Sequence, residues 1–211
     1  MKNILLLTLI FCLGIQVQAQ SPKAIFPGDY PDPSILRDGK DYYMTHSPFY
    51  YAPGFLIWHS TDLIHWEPVC RALPEYEGSA MAPDLLKYQG RYYIYYPTST
   101  GENYVIYADN IRGPWSKPVK LDVKGIDPGH VVGEDGKRYL FTNNGWITPL
   151  SDDGLKVTGK SRKVYDGWEY PVNWVTEGKD MYLESPKLLY KDGYYYMMSA
   201  EGGTAGPATS H

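Results

Sequence analysis

Cysteine is nearly absent from this 211-residue chain: Cys12 falls in an apolar leader, and Cys70 stands alone in the rest. A single thiol can form neither an internal disulfide framework nor a cysteine metal site. Cys70, in Pro-Val-Cys-Arg, reads as a strand residue. Positive charge is also scarce: 20 Lys and Arg stand against 24 Asp and Glu, for a formal charge of −4. That balance argues against nucleic acid or an anionic membrane as a partner. No apolar run is long enough to span a membrane. The leader's core, Ile4 to Leu13, holds 10 residues, whereas a spanning helix needs about 20. Beyond the leader no segment shows a long helical period.

The leader itself carries information. Lys2 supplies the positive start, the apolar core follows, and Val17-Gln18-Ala19 is a small-residue cleavage site. Residues 1–19 are therefore expected to be a signal peptide, and the mature protein to be secreted or periplasmic. An uncleaved anchor is the competing reading, and the short core disfavours it. Residues 20–211 are expected to form the folded part.

One unit recurs through that part. It reads Asp32-Pro-Ser-Ile-Leu-Arg-Asp-Gly-Lys-Asp-Tyr-Tyr-Met, then Ala82-Pro-Asp-Leu-Leu-Lys-Tyr-Gln-Gly-Arg-Tyr-Tyr-Ile. It returns as Asp127-Pro-Gly-His-Val-Val-Gly-Glu-Asp-Gly-Lys-Arg-Tyr-Leu and Glu184-Ser-Pro-Lys-Leu-Leu-Tyr-Lys-Asp-Gly-Tyr-Tyr-Tyr-Met. The prolines at 33, 83, 128 and 186 are 50, 45 and 58 residues apart. Periods of about 40–50 with several strands per unit mark propeller blades. Asp38-Gly39, Gln89-Gly90, Asp135-Gly136 and Asp192-Gly193 fall where hairpin turns are required. Tyr and β-branched residues fill the flanking runs, as strands prefer. Tyr104–Ala108 and 119–121 extend the second unit; Phe55–His59 and the stretch around Trp66 extend the first. At roughly 50 residues per blade, residues 20–211 make close to four blades. The fold class is all-β, and the chain is expected to be the N-terminal part of a longer propeller that lacks its closing blade.

Three of the four units open with an acid: Asp32, Asp127 and Glu184. Carboxylates aimed from the entrances of a repeat can meet at one point, which suggests acid–base chemistry. The bland reading is that an aspartate before proline bonds nearby backbone and shapes a turn. The second unit weighs against it, because Ala82 shows that the turn does not demand an acid. Asp84 is read as a backbone-bonding residue, Asp62 and Trp66 as closing the first unit, and His130 as a packed histidine. Aromatics are plentiful, with 21 Tyr, 6 Trp and 5 Phe. Most are needed between blades, and some are available to stack on sugar faces. Trp168 and Trp174, clustered before Glu184, are the candidates for sugar contact.

These residues resemble glycoside hydrolase family 43. The features that carry the likeness are Tyr-Pro-Asp-Pro-Ser at 30–34, Ser60-Thr-Asp-Leu-Ile-His-Trp66, Ala82-Pro-Asp-Leu, Ile126-Asp-Pro-Gly-His130 and Glu184-Ser-Pro-Lys-Leu-Leu-Tyr. The likeness runs from about Pro27 to the end. It implies a five-bladed β-propeller, with Asp32 as general base, Glu184 as general acid and Asp127 as the residue that tunes and orients that acid. It also implies exo-acting, inverting release of α-L-arabinofuranosyl or β-xylosyl units from an oligo- or polysaccharide. Many relatives have Trp where this chain has Met81, so Met81 is read as part of a softened pocket wall. No cofactor is expected and no metal is assigned, although His211 falls near a channel position that holds a cation in some members. The alternatives are a non-catalytic carbohydrate-binding propeller and an exo-galactosidase of the same family. The Arg-Asp-Pro of the retaining fructan and sucrose hydrolases has no match at Met81-Ala-Pro.

Overall fold

The computed structural model describes residues 24–76, 78–167 and 183–201. The signal peptide assigned to residues 1–19 and the aromatic pair Trp168 and Trp174 lie outside them. Among the described residues no helix is long and apolar enough to cross a membrane.

The strands of the described residues form four antiparallel sheets, each a meander in chain order. The first holds β1 (Ser34–Asp38), β2 (Asp41–Thr45), β3 (Gly54–Ser60) and β4 (Glu67–Leu73). The second holds β5 (Asp84–Tyr88), β6 (Arg91–Pro97), β7 (Asn103–Ala108) and β8 (Val119–Leu121). The third holds β9 (Gly129–Val132), β10 (Arg138–Thr142), β11 (Trp146–Leu150) and β12 (Arg162–Lys163), with a 3-10 turn at Asn143–Gly145. The fourth pairs β13 (Leu183–Lys191) with β14 (Tyr194–Glu201). The first strands β1, β5, β9 and β13 neighbour one another in turn. This is the blade arrangement that the repeat predicts. The strand expected around Trp66 begins one residue later, at Glu67.

The middle strands show why the sheets stack. Successive side chains of a strand point to opposite faces. In β6, Tyr92, Ile94 and Tyr96 join Phe55, Ile57 and Ile106 in one apolar cluster. Tyr93 and Tyr95 turn the other way and join Val105, Leu140 and Leu150 in a second. A sheet apolar on both faces must be covered on both, and the first and third sheets cover the second. Each fully buried aliphatic or aromatic side chain contributes roughly 1.5–3 kcal/mol. Between the second and third sheets Arg138 is 1% exposed. Its charge rests on the Tyr88 and Tyr93 rings, 4.6 and 4.4 Å from their centroids. Its donors reach Tyr95 Oη, His130 Nε2 and the Asp152 carbonyl.

Two of the four hairpins are the two-residue turns that the sequence suggests. Gln89-Gly90 and Asp192-Gly193 take positive φ at both positions, as a turn matching strand twist requires. In the first sheet the turn is Gly39-Lys40. Asp38 belongs to β1, and its carboxylate accepts from Lys87 Nζ at 2.7 Å and Tyr92 Oη at 2.6 Å.

A second recurrence is invisible as a sequence pattern. The residue before each unit's proline has positive φ: Asp32 (52°), Ala82 (40°), Asp127 (57°) and Ser185 (50°). Left-handed backbone is uncommon outside glycine and costs on the order of 1–3 kcal/mol. The same turn thus opens all four first strands. Glu184 is one residue upstream of this place, so the three acids, although each opens a unit, are not equivalent in the repeat. β13 carries an extra residue against β14 between Glu184 and Lys187, which separates the Glu184 position from those of Asp32 and Asp127.

Gly129 shows how closely the third and fourth sheets approach. A Cβ there would lie 1.8 Å from the Pro186 carbonyl oxygen. Gly129→Ala is therefore expected to cost roughly 1–3 kcal/mol or more by overpacking, and to lower the thermal midpoint by several degrees. Gly90, with no atom within 4 Å of its would-be Cβ, has room for Asn, and this variant should lose only what its positive φ of 85° costs, less than the Gly129 variant loses. Equal midpoints for the two variants would remove the close approach.

Candidate active site

The inlet turns surround a cavity of about 400 Å³. Asp32, Ala82, Asp127 and Ser185, the four left-handed residues, all line it, together with Lys187 and Met198. Of the acids read from the sequence, Asp32 and Asp127 come from different sheets and share this cavity. Glu184 precedes Ser185 in β13 and is half-buried; its carbonyl accepts from Ser199 Oγ at 3.1 Å. Met81 is half-buried beside Ala82, with its N–H donating to the Pro97 carbonyl at 3.1 Å.

Asp32 is held by a relay. Ser47 Oγ donates to Asp32 Oδ2 at 2.5 Å and accepts from the Ala82 N–H at 2.6 Å. The unit without an acid thus contributes a backbone donor, which fixes the serine that fixes the carboxylate. Ser47, just after β2, is 3% exposed. Nothing in the sequence singles it out, because its partners are 15 and 35 residues away.

Asp127 is buried, at 9% exposure. Burial pushes its carboxyl above the usual aspartate range, since the charged form loses water. The Ser185 N–H, donating to Oδ2 at 3.2 Å, pulls the other way, the Asp32 carboxylate adds to the push, and Lys187 opposes it.

Side chains after the prolines join the sheets below this level. Ser34 Oγ accepts from the Leu85 N–H at 2.9 Å, and Asp84 Oδ2 accepts from the His130 N–H at 2.8 Å. Each links one sheet to the same place in the next. Gly129 has no side chain to make the third link. Lys187, the corresponding residue of the fourth sheet, reaches back to Asp84 Oδ1 at 3.0 Å. Asp84 is thus a backbone-bonding residue, as the sequence suggests, and an ion-pair partner as well. His130 is packed beside Tyr95, with its ring plane 7° from parallel and centroids 5.8 Å apart. Burial and the Arg138 charge push it down to about 4, so the neutral ring accepts from Arg138 at Nε2. Asp62 accepts from the Ile64 and His65 N–H groups and shapes the turn before β4. Among the described residues no group of three or more His, Cys, Asp or Glu side chains is arranged to hold a metal ion.

The model of glycosyl hydrolases family 43 matches residues 21–211. The chain belongs to this family. It is 34% identical over 207 residues to a xylosidase/arabinosidase of Butyrivibrio fibrisolvens, covering 86% of this chain and 38% of that protein. It is 36% identical over 211 residues to a xylan 1,3-beta-xylosidase of a Vibrio species, with 85% and 38% covered. The crystal structure of a xylan beta-1,4-xylosidase from Bacillus halodurans superposes with a TM-score of 0.72 at 34% identity, covering 85% of this chain and 38% of that one. The chain spans about 38% of the length of these relatives. Its sheets are those of a family 43 propeller, and its relatives are O-glycosyl hydrolases.

Two measurements check the site's physics. Asp127→Asn removes a carboxyl whose ionised form is disfavoured by folding. A raised folded value means that the wild type loses stability as pH climbs from about 3.8 through that value. The variant should therefore gain on the wild type over this rise and hold its gain above it. A stability difference flat from pH 3 to 8 would contradict the assigned burial cost. Ser47→Ala leaves the buried Ala82 N–H without its acceptor, at a cost of roughly 1–3 kcal/mol. Denaturant unfolding reads this directly, and no change would dissolve the relay.

Proposed function

We propose that this chain carries the acid site of a secreted, exo-acting, inverting glycoside hydrolase that releases α-L-arabinofuranosyl or β-xylosyl units from plant polysaccharide. The observation that carries this reading is one cavity shared by Asp32 and Asp127 from separate sheets, with Ser185, the residue after Glu184, lining it from a third. The names of the relatives support the sugar class, and the leader sequence supports secretion.

In this reading Asp32 is the general base. It takes a proton from a water whose oxygen then attacks the anomeric carbon. The bond from that carbon to the leaving oxygen breaks as Glu184, the general acid, protonates that oxygen. Attack opposite the leaving group inverts the centre. Water between base and sugar requires the two carboxyls to stand about 6.5–9.5 Å apart. The Ser47 relay leaves one Asp32 oxygen held and the other available for the water. Asp127, buried near both, orients the acid and raises its affinity for a proton as a neighbouring charge does. Trp168, Trp174 and Met81 are assigned on sequence grounds to the sugar-contacting wall.

A panel of aryl α-L-arabinofuranoside, β-xyloside and β-galactoside tests the substrate class, using the protein that contains this chain. Turnover of either pentoside with inverted product, followed by NMR, is expected. Binding without turnover would support a carbohydrate-binding propeller, and preference for the galactoside would move the specificity. Asp32→Ala should abolish turnover of every substrate. Glu184→Ala should slow substrates with poor leaving groups by about 10²–10⁴-fold and activated aryl glycosides far less. Equal losses on both kinds would exclude Glu184 as the acid.

A further inference from the structure

Lys187 stands where three sheets converge. It is the fifth residue of β13. Its Nζ donates to Asp84 Oδ1 at 3.0 Å, to the Pro128 carbonyl at 3.0 Å and to the Pro83 carbonyl at 3.4 Å. An ammonium has three donors, so all three are directed into the second and third sheets. The same side chain lines the cavity that holds Asp32 and Asp127. Nothing in the repeat demands a cation there, since the corresponding residues of the other sheets are Ser34, Asp84 and Gly129.

We propose that Lys187 is a positioning residue of the acid site, whose fixed positive charge holds Asp127 as a carboxylate beside Asp32. The proposal rests on the reading of this cavity as a glycosidase site. Two carboxyls that share one cavity resist joint ionisation, and burial of one of them sharpens the effect for that one. Asp127 is the more vulnerable, because it is buried and faces Asp32. Unless something opposes these effects, Asp127 takes up a proton and ceases to act as a charge on its neighbours. Three groups oppose them: the Ser185 N–H, at a long 3.2 Å, the Lys187 ammonium and the Ser185 hydroxyl, and of these only the ammonium carries a charge. The carbonyls of Pro83 and Pro128 keep that ammonium from swinging into solvent. Its side chain is 34% exposed, so water screens part of the field. Asp84 cancels another part, because its carboxylate sits on the same ammonium. Lys187 and Asp84 therefore act on Asp127 with opposite signs, which a purely mechanical tie between sheets would not do.

Carboxyl titration by NMR on aspartate labelled with carbon-13 reads this directly, with the Asp127 resonance assigned by its loss in Asp127→Asn. Lys187→Met is expected to move the Asp127 midpoint up by on the order of half a pH unit or more. Lys187→Arg should keep it near the wild-type value. Asp84→Asn, which leaves the ammonium unopposed, should move it down. If Lys187→Met lowers thermal stability and leaves the Asp127 midpoint in place, Lys187 is only a tie between sheets and the proposal falls. Shifts of the same sign in Lys187→Met and Asp84→Asn would also overturn it, since they would report general loosening. If Lys187→Met does not fold, Lys187→Gln, which keeps a donor for the Pro128 carbonyl, and Asp84→Asn decide the same question. The readout is the carboxyl itself, so it stands even where the glycoside panel shows no turnover. A failed panel with the expected titration shifts would refute the hydrolase reading alone.

Discussion

A residue held at positive φ directly before a proline opens each of the four described sheets. That turn is locally unfavourable for an L-residue, and four copies of it persist only because the surrounding structure over-determines them. The stacking of the sheets provides this. The second sheet buries both faces of β6, the third packs on it around Arg138, and the fourth approaches the third so closely that only glycine fits at 129. Once the first strands are fixed by these contacts, the four inlet residues face one cavity. Whether that cavity is acidic then depends on which side chain each turn carries. Asp32 and Asp127 supply acids, Ala82 supplies a backbone donor, and Ser185 supplies an N–H for the neighbouring aspartate.

The electrostatics follow from the same crowding. Carboxyls gathered at one cavity repel each other, and the buried one also loses water; the chain answers with defined hydrogen bonds and one cation. Asp32 receives the Ser47 hydroxyl, and Asp127 receives the Ser185 amide. The Lys187 ammonium is shared among Asp84 and two proline carbonyls. Deeper between the second and third sheets, Arg138 is accommodated by rings and neutral acceptors. Two tyrosine faces, a neutral histidine and a phenol oxygen surround it. The low affinity of His130 for a proton belongs to this arrangement, since a second positive charge beside Arg138 is strongly disfavoured.

Family membership and geometry meet in the acid-poor second unit. As a sequence it reads as a copy from which the acid is missing. In the fold it has two roles: its inlet N–H anchors the Ser47 relay, and Asp84 takes the Lys187 charge. The proposed hydrolysis thus draws on all four sheets, although its carboxyls come from three. Extra positioning groups of this kind are what a site needs when a base and an acid must keep a fixed separation around a water and a sugar ring.

The sequence by itself determined the architecture and singled out the acids as candidates. A proline-marked unit recurring at about blade spacing, tyrosine-rich alternation and glycine-bearing turns specify stacked antiparallel meanders. These signals are local, because strand period and turn chemistry are written in adjacent residues. Asp32 and Asp127 were legible for the same reason, each standing directly before a proline in a repeated phrase, and Glu184 because it stands two residues before the proline of the fourth unit. Only the tertiary structure decided the rest. The offset of Glu184 from its proline is written in Glu-Ser-Pro, but that β13 absorbs it as an extra residue against β14 is not, because pairing register is not visible in one strand. Ser47 and Lys187 carry no motif. Their partners lie 15 to 104 residues away, and contacts across that distance exist only once sheets from separate parts of the chain have packed.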